Sequence, residues 1–162
     1  LGYQLPFGAQ LRYFINSDAS GDMLGCFQFS SPAWKMAPRD RWIGWSDQQR
    51  KANLQKIVNN SRFLIFPWVE VKNLASSVLA LAVKTVPQDW QRIYGYRPVL
   101  IETLIDGKRF KGTCYKAANW IHMGKTTGRG RMDRGNQKQG AAVKDIYVYP
   151  LTFGFRQKLT GV

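Results

Sequence analysis

The segment Phe110–Gly124 constrains this chain more than any other. Gly112-Thr113-Cys114-Tyr115-Lys116-Ala117-Ala118 reads as a short helix of small and apolar residues, Asn119 as a turn, and Trp120-Ile121 as the opening of a strand. Residues 125–140 follow, built almost wholly of Gly, Thr, Arg, Lys, Asn and Gln. A rigid helix-turn-strand that ends by holding out a cationic arm suits an anionic partner.

The rest of the chain supplies the framework for that element. Residues 9–17 and 23–30 are apolar, aromatic runs separated by Asp18-Ala19-Ser20-Gly21-Asp22, the pattern of an antiparallel strand pair. Residues 31–45, with Pro32, Pro38, Trp34, Trp42 and Trp45, suggest an ordered loop. Ser46-Asp47-Gln48-Gln49 fits a capping box and predicts a helix to about Asn59, with Leu54, Ile57 and Val58 as its buried stripe. Residues 63–69 predict a buried strand interrupted at Pro67. Leu74 to Thr85 predicts a helix apolar nearly all round. Pro87 and Gly95 bracket a second, short helix. Residues 98–105 and 144–151 predict further strands. This order gives an α/β (α+β) fold: a single mixed, mostly antiparallel sheet flanked by helices.

The 162 residues suit one domain with an ordinary core, and the hydrophobic fraction of 44% excludes a disordered tail. No run of about 18 apolar residues predicts a membrane span. The chain opens Leu1-Gly2-Tyr3 without Met, which reads as a piece of a longer or processed protein. Cys26 and Cys114 lie in apolar segments and read as reduced, buried and structural, so a cytoplasmic location is expected. The net charge of +14 calls for a polyanionic partner, with nucleic acid, DNA before RNA, the leading candidate.

Two resemblances follow from these residues. The element order, with Cys114-Tyr115-Lys116-Ala117-Ala118-Asn119-Trp120-Ile121-His122-Met123-Gly124, is similar to the late helix, tight turn and aromatic-led strand of the GNAT acyltransferase superfamily, lacking that fold's first strand and opening helices. That resemblance implies a GNAT-like domain over residues 1–162 and places Tyr115 where a Tyr returns a proton to the leaving thiolate. It also implies coenzyme A, but Val71-Lys72-Asn73-Leu74-Ala75-Ser76-Ser77 stands where a Gly-rich pyrophosphate turn belongs and contains no Gly, so coenzyme A is not expected. The second resemblance rests on residues 25–40, 57–65, 112–120 and 144–150, which look like the DruA family of Druantia anti-phage systems, also found beside transposases. It implies a setting in phage defence or mobile elements, with other proteins of such a system as possible partners.

Three sets of residues are candidates for chemistry. Glu70 and Glu102 lie in apolar runs. Each is either turned outward or paired with an Arg, or, on a GNAT-like sheet, a base working with Tyr115 as acid. Lys125, Arg129, Arg131, Arg134 and Lys138 form the cationic arm, and Lys35, Arg39 and Arg41 lie among the tryptophans; all eight are candidate nucleic-acid contacts. Glu70-Val71-Lys72 matches half of a metal-dependent nuclease site without its upstream acid. His122 and the two cysteines lack metal-ligand spacing. The reading is therefore a nucleic-acid-binding domain, with an acyltransferase as the alternative and a nuclease as a second one.

Overall fold

The computed structural model describes residues 8–127 and 143–162. Six strands form one sheet in the order β1-β2-β3-β4-β6-β5. They are β1 Gln10–Asn16, β2 Met23–Ser30, β3 Ile57–Ile65, β4 Leu100–Asp106, β5 Ile121–Lys125 and β6 Lys144–Pro150. Every neighbouring pair is antiparallel except β3–β4. The helices are α1 Ala37–Ile43, α2 Asp47–Asn53, α3 Leu74–Tyr94, α4 Thr113–Ala117 and α5 Phe155–Thr160. Sheet and helices match the fold class that the strand patterns predict.

Side-chain alternation sorts the core into two layers. On one face, Phe27, Phe29, Val58 and Ile101 pack against Leu79, Val86 and Trp90 of α3 and Tyr115 of α4. On the other, Ile57, Leu100, Ile146 and Val148 pack against Ile43 of α1, Trp45 and Leu159 of α5. The central strands are thus covered on both sides, whereas no residue of β1 or β2 belongs to the second layer. α3 is pinned to β1 by polar contacts as well. Tyr13 donates to Asp89 at 2.9 Å, and the Tyr94 hydroxyl bridges the Gln10 amide and carbonyl at 2.8 and 2.7 Å.

Local chemistry explains the ends of these elements. Ser46 and Gln49 form the expected reciprocal capping box at the start of α2. That helix stops at Asn53, however, and after one 3-10 turn the chain enters β3 at Ile57. Ile57 and Val58, expected on one helical stripe, lie buried in opposite core layers instead. β3 ends at Ile65, so Pro67 falls in the turn beyond it, where its missing amide costs no ladder bond. The two helices expected around Pro87 are one 21-residue helix with Pro87 inside it, and the Gly95 stop is in place with φ 80. The loop expected over 31–45 contains α1, and α5 was not foreseen.

Candidate nucleic-acid interface

β3 and β4 run side by side only where Ile57–Asn60 face Leu100–Thr103. Beyond that point β3 stays with β2 as far as Ile65, and β4 stays with β6 as far as Asp106. The two strands diverge and open a cleft of about 600 Å³. Arg62 and Phe63 line one wall, Asp106, Arg109 and Lys111 the other, and Tyr115 lies at its base.

Asn60 is the residue on which the divergence turns. The β2–β3 register slips between Gln28 and Phe29. The Asn60 side chain fills the break by donating to the carbonyls of Arg62 and Gln28 at 2.9 and 3.3 Å. Its backbone carbonyl accepts from Thr103 Oγ1 at 3.0 Å, and its Oδ1 accepts from the Tyr115 hydroxyl at 2.9 Å. Tyr115 is also boxed in by Phe63, Trp120 and Tyr147. Burial pushes its phenol above the ordinary value, and Thr103 pulls it partly back. The phenol therefore keeps its proton, directed at Asn60 Oδ1.

α4 is set by its flanking turns. Gly112 takes φ 67 at the helix start, and a Cβ there would overlap the Tyr147 hydroxyl, so glycine is required twice over. Asn119 takes φ 64 after the helix, and the Trp120 amide returns to the Tyr115 carbonyl at 2.9 Å, the turn the sequence predicts.

The two candidate carboxylates do not meet Tyr115. Glu102 is wholly buried on the opposite face of the sheet, accepting from Arg39 Nη1 at 2.8 and 3.1 Å and from the Ala33 amide at 3.3 Å. Burial pushes its carboxyl up, with Arg39 opposing the shift. Burial pulls Arg39 down, but Glu102 and Asp40 outweigh it and hold the guanidinium above its ordinary value. The two directions disagree about the pair, and the close contacts decide for a charged Arg39 held against the carboxylate. Glu70 is exposed in the loop between β3 and α3. The outward-or-paired alternative thus describes both residues, and the acid-base grouping with Tyr115 is not formed.

The cationic candidates divide in the same way. Arg39 is buried and committed to Glu102, Asp40 and the Ala33 carbonyl, so it has no surface for a ligand. Lys35 precedes α1 and Arg41 lies within it; both are exposed and neither lines the cleft. Lys125 is exposed at the end of β5. Arg129, Arg131, Arg134 and Lys138 lie outside the described residues. The flanks of their segment are described: Thr126 and Lys144 exchange hydrogen bonds of 2.8 and 2.9 Å, and Lys144 pairs with Asp106. Both flanks therefore sit at the cleft end of the sheet.

Sequence reasoning did not single out Arg62, Arg109 or Lys111, which become neighbours only through the strand divergence. His122, which the sequence excludes as a metal ligand, lies in β5 with Nε2 2.8 Å from Asp145 Oδ1 and its ring against Tyr147. Cys26 and Cys114 are free and half-buried, not fully enclosed as expected. Among the described residues, no group of three or more His, Cys, Asp or Glu is placed to hold a metal ion. No helix among them is long and apolar enough to cross a membrane.

The GNAT resemblance implies coenzyme A, and the residues at the turn into α3 do not fit it. The turn into α3 uses the left-handed conformation at Asn73, φ 60, so the bend exists. Every residue from Val71 to Ser77 nonetheless carries a Cβ where backbone must approach a pyrophosphate, and the exposed Glu70 carboxylate precedes the turn.

The sequence matches the family described as "Druantia protein DruA" over residues 1–141. This chain belongs to the DruA family. It is 30% identical over 53 residues to Druantia protein DruA of Escherichia coli (strain UMEA 4076-1), a stretch covering 33% of this chain and 13% of that relative. The architecture is that of GNAT acetyltransferases. It is similar to a point variant of spermidine N-acetyltransferase SpeG from Vibrio cholerae, with a TM-score of 0.54 and 11% identity over 94% of this chain and 69% of that one. It is similar also to an N-acetyltransferase from Staphylococcus aureus Mu50, with a TM-score of 0.55 and 14% identity over 88% and 68%. At such identity the likeness concerns the fold alone.

Proposed function

We propose that this DruA-family domain binds nucleic acid at the cleft end of its sheet, as part of a protein of phage defence. The observation that carries this is the composition of the cleft. Arg62, Arg109 and Lys111 line it against one acid, Asp106, and exposed Lys125 and Lys144 end their strands at the same side. Guanidinium and ammonium groups around a cleft favour phosphates through charge-assisted hydrogen bonds. The family's defence system supports the setting, and transposition remains its alternative. DNA is the expected polymer, and other proteins of the same system are the expected partners.

The acetyltransferase neighbours support the acyltransferase alternative at the level of fold only. The β3–α3 turn argues against it, so titration calorimetry with acetyl-coenzyme A is expected to give no heat. The test of the main reading is fluorescence anisotropy of labelled DNA across a salt series. Each phosphate contact contributes a slope of about −0.9 in log K against log salt for duplex DNA. Replacing Arg109 and Lys111 together by Ala should flatten the slope by about two such increments. No binding at low salt, or a slope that the double variant leaves unchanged, removes the proposal.

A further inference from the structure

The open side of β1–β2–β3 carries a second pattern. Register places Phe14, Cys26 and Leu64 in one row across the three strands and Arg12, Gln28 and Arg62 in the next. All six side chains point away from α3, because their neighbours Tyr13, Ile15, Phe27 and Phe63 pack toward it. Phe14 is 70% exposed and Leu64 46% exposed. In the adjacent row, Gln10 Oε1 accepts from Arg12 at 3.3 Å and from Gln28 at 3.2 Å, tying these chains along the strands.

Past the end of β3 the chain carries an aromatic pair. The Phe66 amide donates to the Leu24 carbonyl at 2.9 Å, extending the sheet by one step. The Phe66 ring then stacks on Trp68, with centroids 4.8 Å apart and planes 23° apart, and Trp68 is 74% exposed. A stacked aromatic pair that leaves its outer ring in water is a costly surface for a protein to maintain without a partner. No carboxylate lies in either row. The nearest acids along the chain, Asp18 and Asp22 in the β1–β2 turn and Glu70 in the loop, stand at the margins.

We infer that this face is a platform for single-stranded nucleic acid, leading into the cleft. The inference rests on the nucleic-acid reading above and specifies its strandedness and path. Rows two residues apart on a strand are roughly 7 Å apart. A base lying on Phe14 therefore has its phosphate within reach of Arg12. Duplex DNA hides the base faces that exposed rings would bind, whereas an unpaired strand offers them. Arg62 and Leu64 belong both to the platform and to the cleft wall, so the two surfaces are continuous.

The experiment compares a labelled oligothymidylate, an oligouridylate and a duplex of equal length, using the full chain in anisotropy titrations. The single strands should bind more tightly than the duplex, and whichever of the two is tighter identifies DNA or RNA as the ligand. Phe14→Ala and Trp68→Ala should each weaken single-strand binding about fivefold or more, the effect of one lost stacking contact, with duplex binding unmoved. Both side chains are largely exposed, so the variants should keep the parent's thermal midpoint. Equal affinity for duplex and single strand, with silent Phe14→Ala and Trp68→Ala variants, overturns the platform and leaves the nucleic-acid reading standing. No binding to any of the three polymers overturns both. Self-association in sedimentation that Phe14→Ala abolishes, with nucleic-acid affinity unchanged, would give this face to a second copy and likewise overturn the platform.

Discussion

Replacing Glu102 by Leu tests whether the residue is a buried counter-ion or a functional acid. Arg39 and Glu102 are both fully enclosed, joined at 2.8 and 3.1 Å, and the same guanidinium also holds Asp40 at 2.9 Å and the Ala33 carbonyl at 2.9 Å. Removing the Glu102 carboxylate leaves Arg39 charged in an apolar layer with Asp40 as its remaining counter-charge. The loss of one partner from such a pair costs about 3–5 kcal/mol, a large share of the roughly 5–15 kcal/mol that stabilises a domain of ordinary size. The Arg39→Met change alone should cost a similar amount by stranding the carboxylate. The double variant Arg39→Met, Glu102→Leu fills the site with apolar volume and should recover most of the loss. Urea unfolding monitored by tryptophan fluorescence, with all four proteins in one double-mutant cycle, measures the coupling directly. The folded double variant should also bind nucleic acid like the parent. A Glu102→Leu cost below about 1 kcal/mol, or single effects that simply add, would show that the pair is not the structural unit described here.

Two other outcomes follow from the geometry. Gly112→Ala places a Cβ at φ 67 and against the Tyr147 hydroxyl, and should lower unfolding stability by about 1–3 kcal/mol in the same urea assay. The Tyr13 and Tyr115 phenols are both pushed above their ordinary value, chiefly by burial. Their contribution to stability is fully present below about pH 10, where the unfolded phenol ionises, and is lost as pH rises from there through the folded values; alkaline unfolding followed by ultraviolet difference absorbance should show it, with Tyr115→Phe removing part of the slope.

Much of the framework was legible because its signals are local. The β1–β2 pair, the Ser46–Gln49 box, the turn at Asn119 and the closing strand each depend on residues within a few positions of one another. The errors arose where one pattern serves two structures. Leu54, Ile57 and Val58 have helical spacing, but an adjacent β-branched pair is also what a strand covered on both faces requires. Pro87 has the look of a helix start, yet its ring is buried within α3, where tertiary packing outweighs local preference. The site was harder still. Arg39 and Glu102 are 63 positions apart, and composition alone could not separate this buried guanidinium from the exposed cations near it. Arg62, Arg109 and Lys111 become a group only because β3 and β4 diverge after Asn60 and Thr103.

That divergence is also where fold and function separate. The GNAT-like fold is shared, but the residues around the cleft between β3 and β4 are this chain's own. The turn entering α3 bends through the left-handed conformation at Asn73, and every residue from Val71 to Ser77 carries a Cβ. Tyr115 keeps its phenol proton and donates it in a hydrogen bond to Asn60 Oδ1. Cations, meanwhile, sit where a solubility role would not demand them, on the cleft walls and at the strand ends beside it. A charge of +14 used only for solvation would be free to scatter. Arg62 instead faces both the cleft and a sheet surface bearing exposed aromatic rings, an arrangement that costs stability through like-charge repulsion and exposed apolar area. Under the reading proposed above, a flexible polyanion with stacking faces would offset both costs.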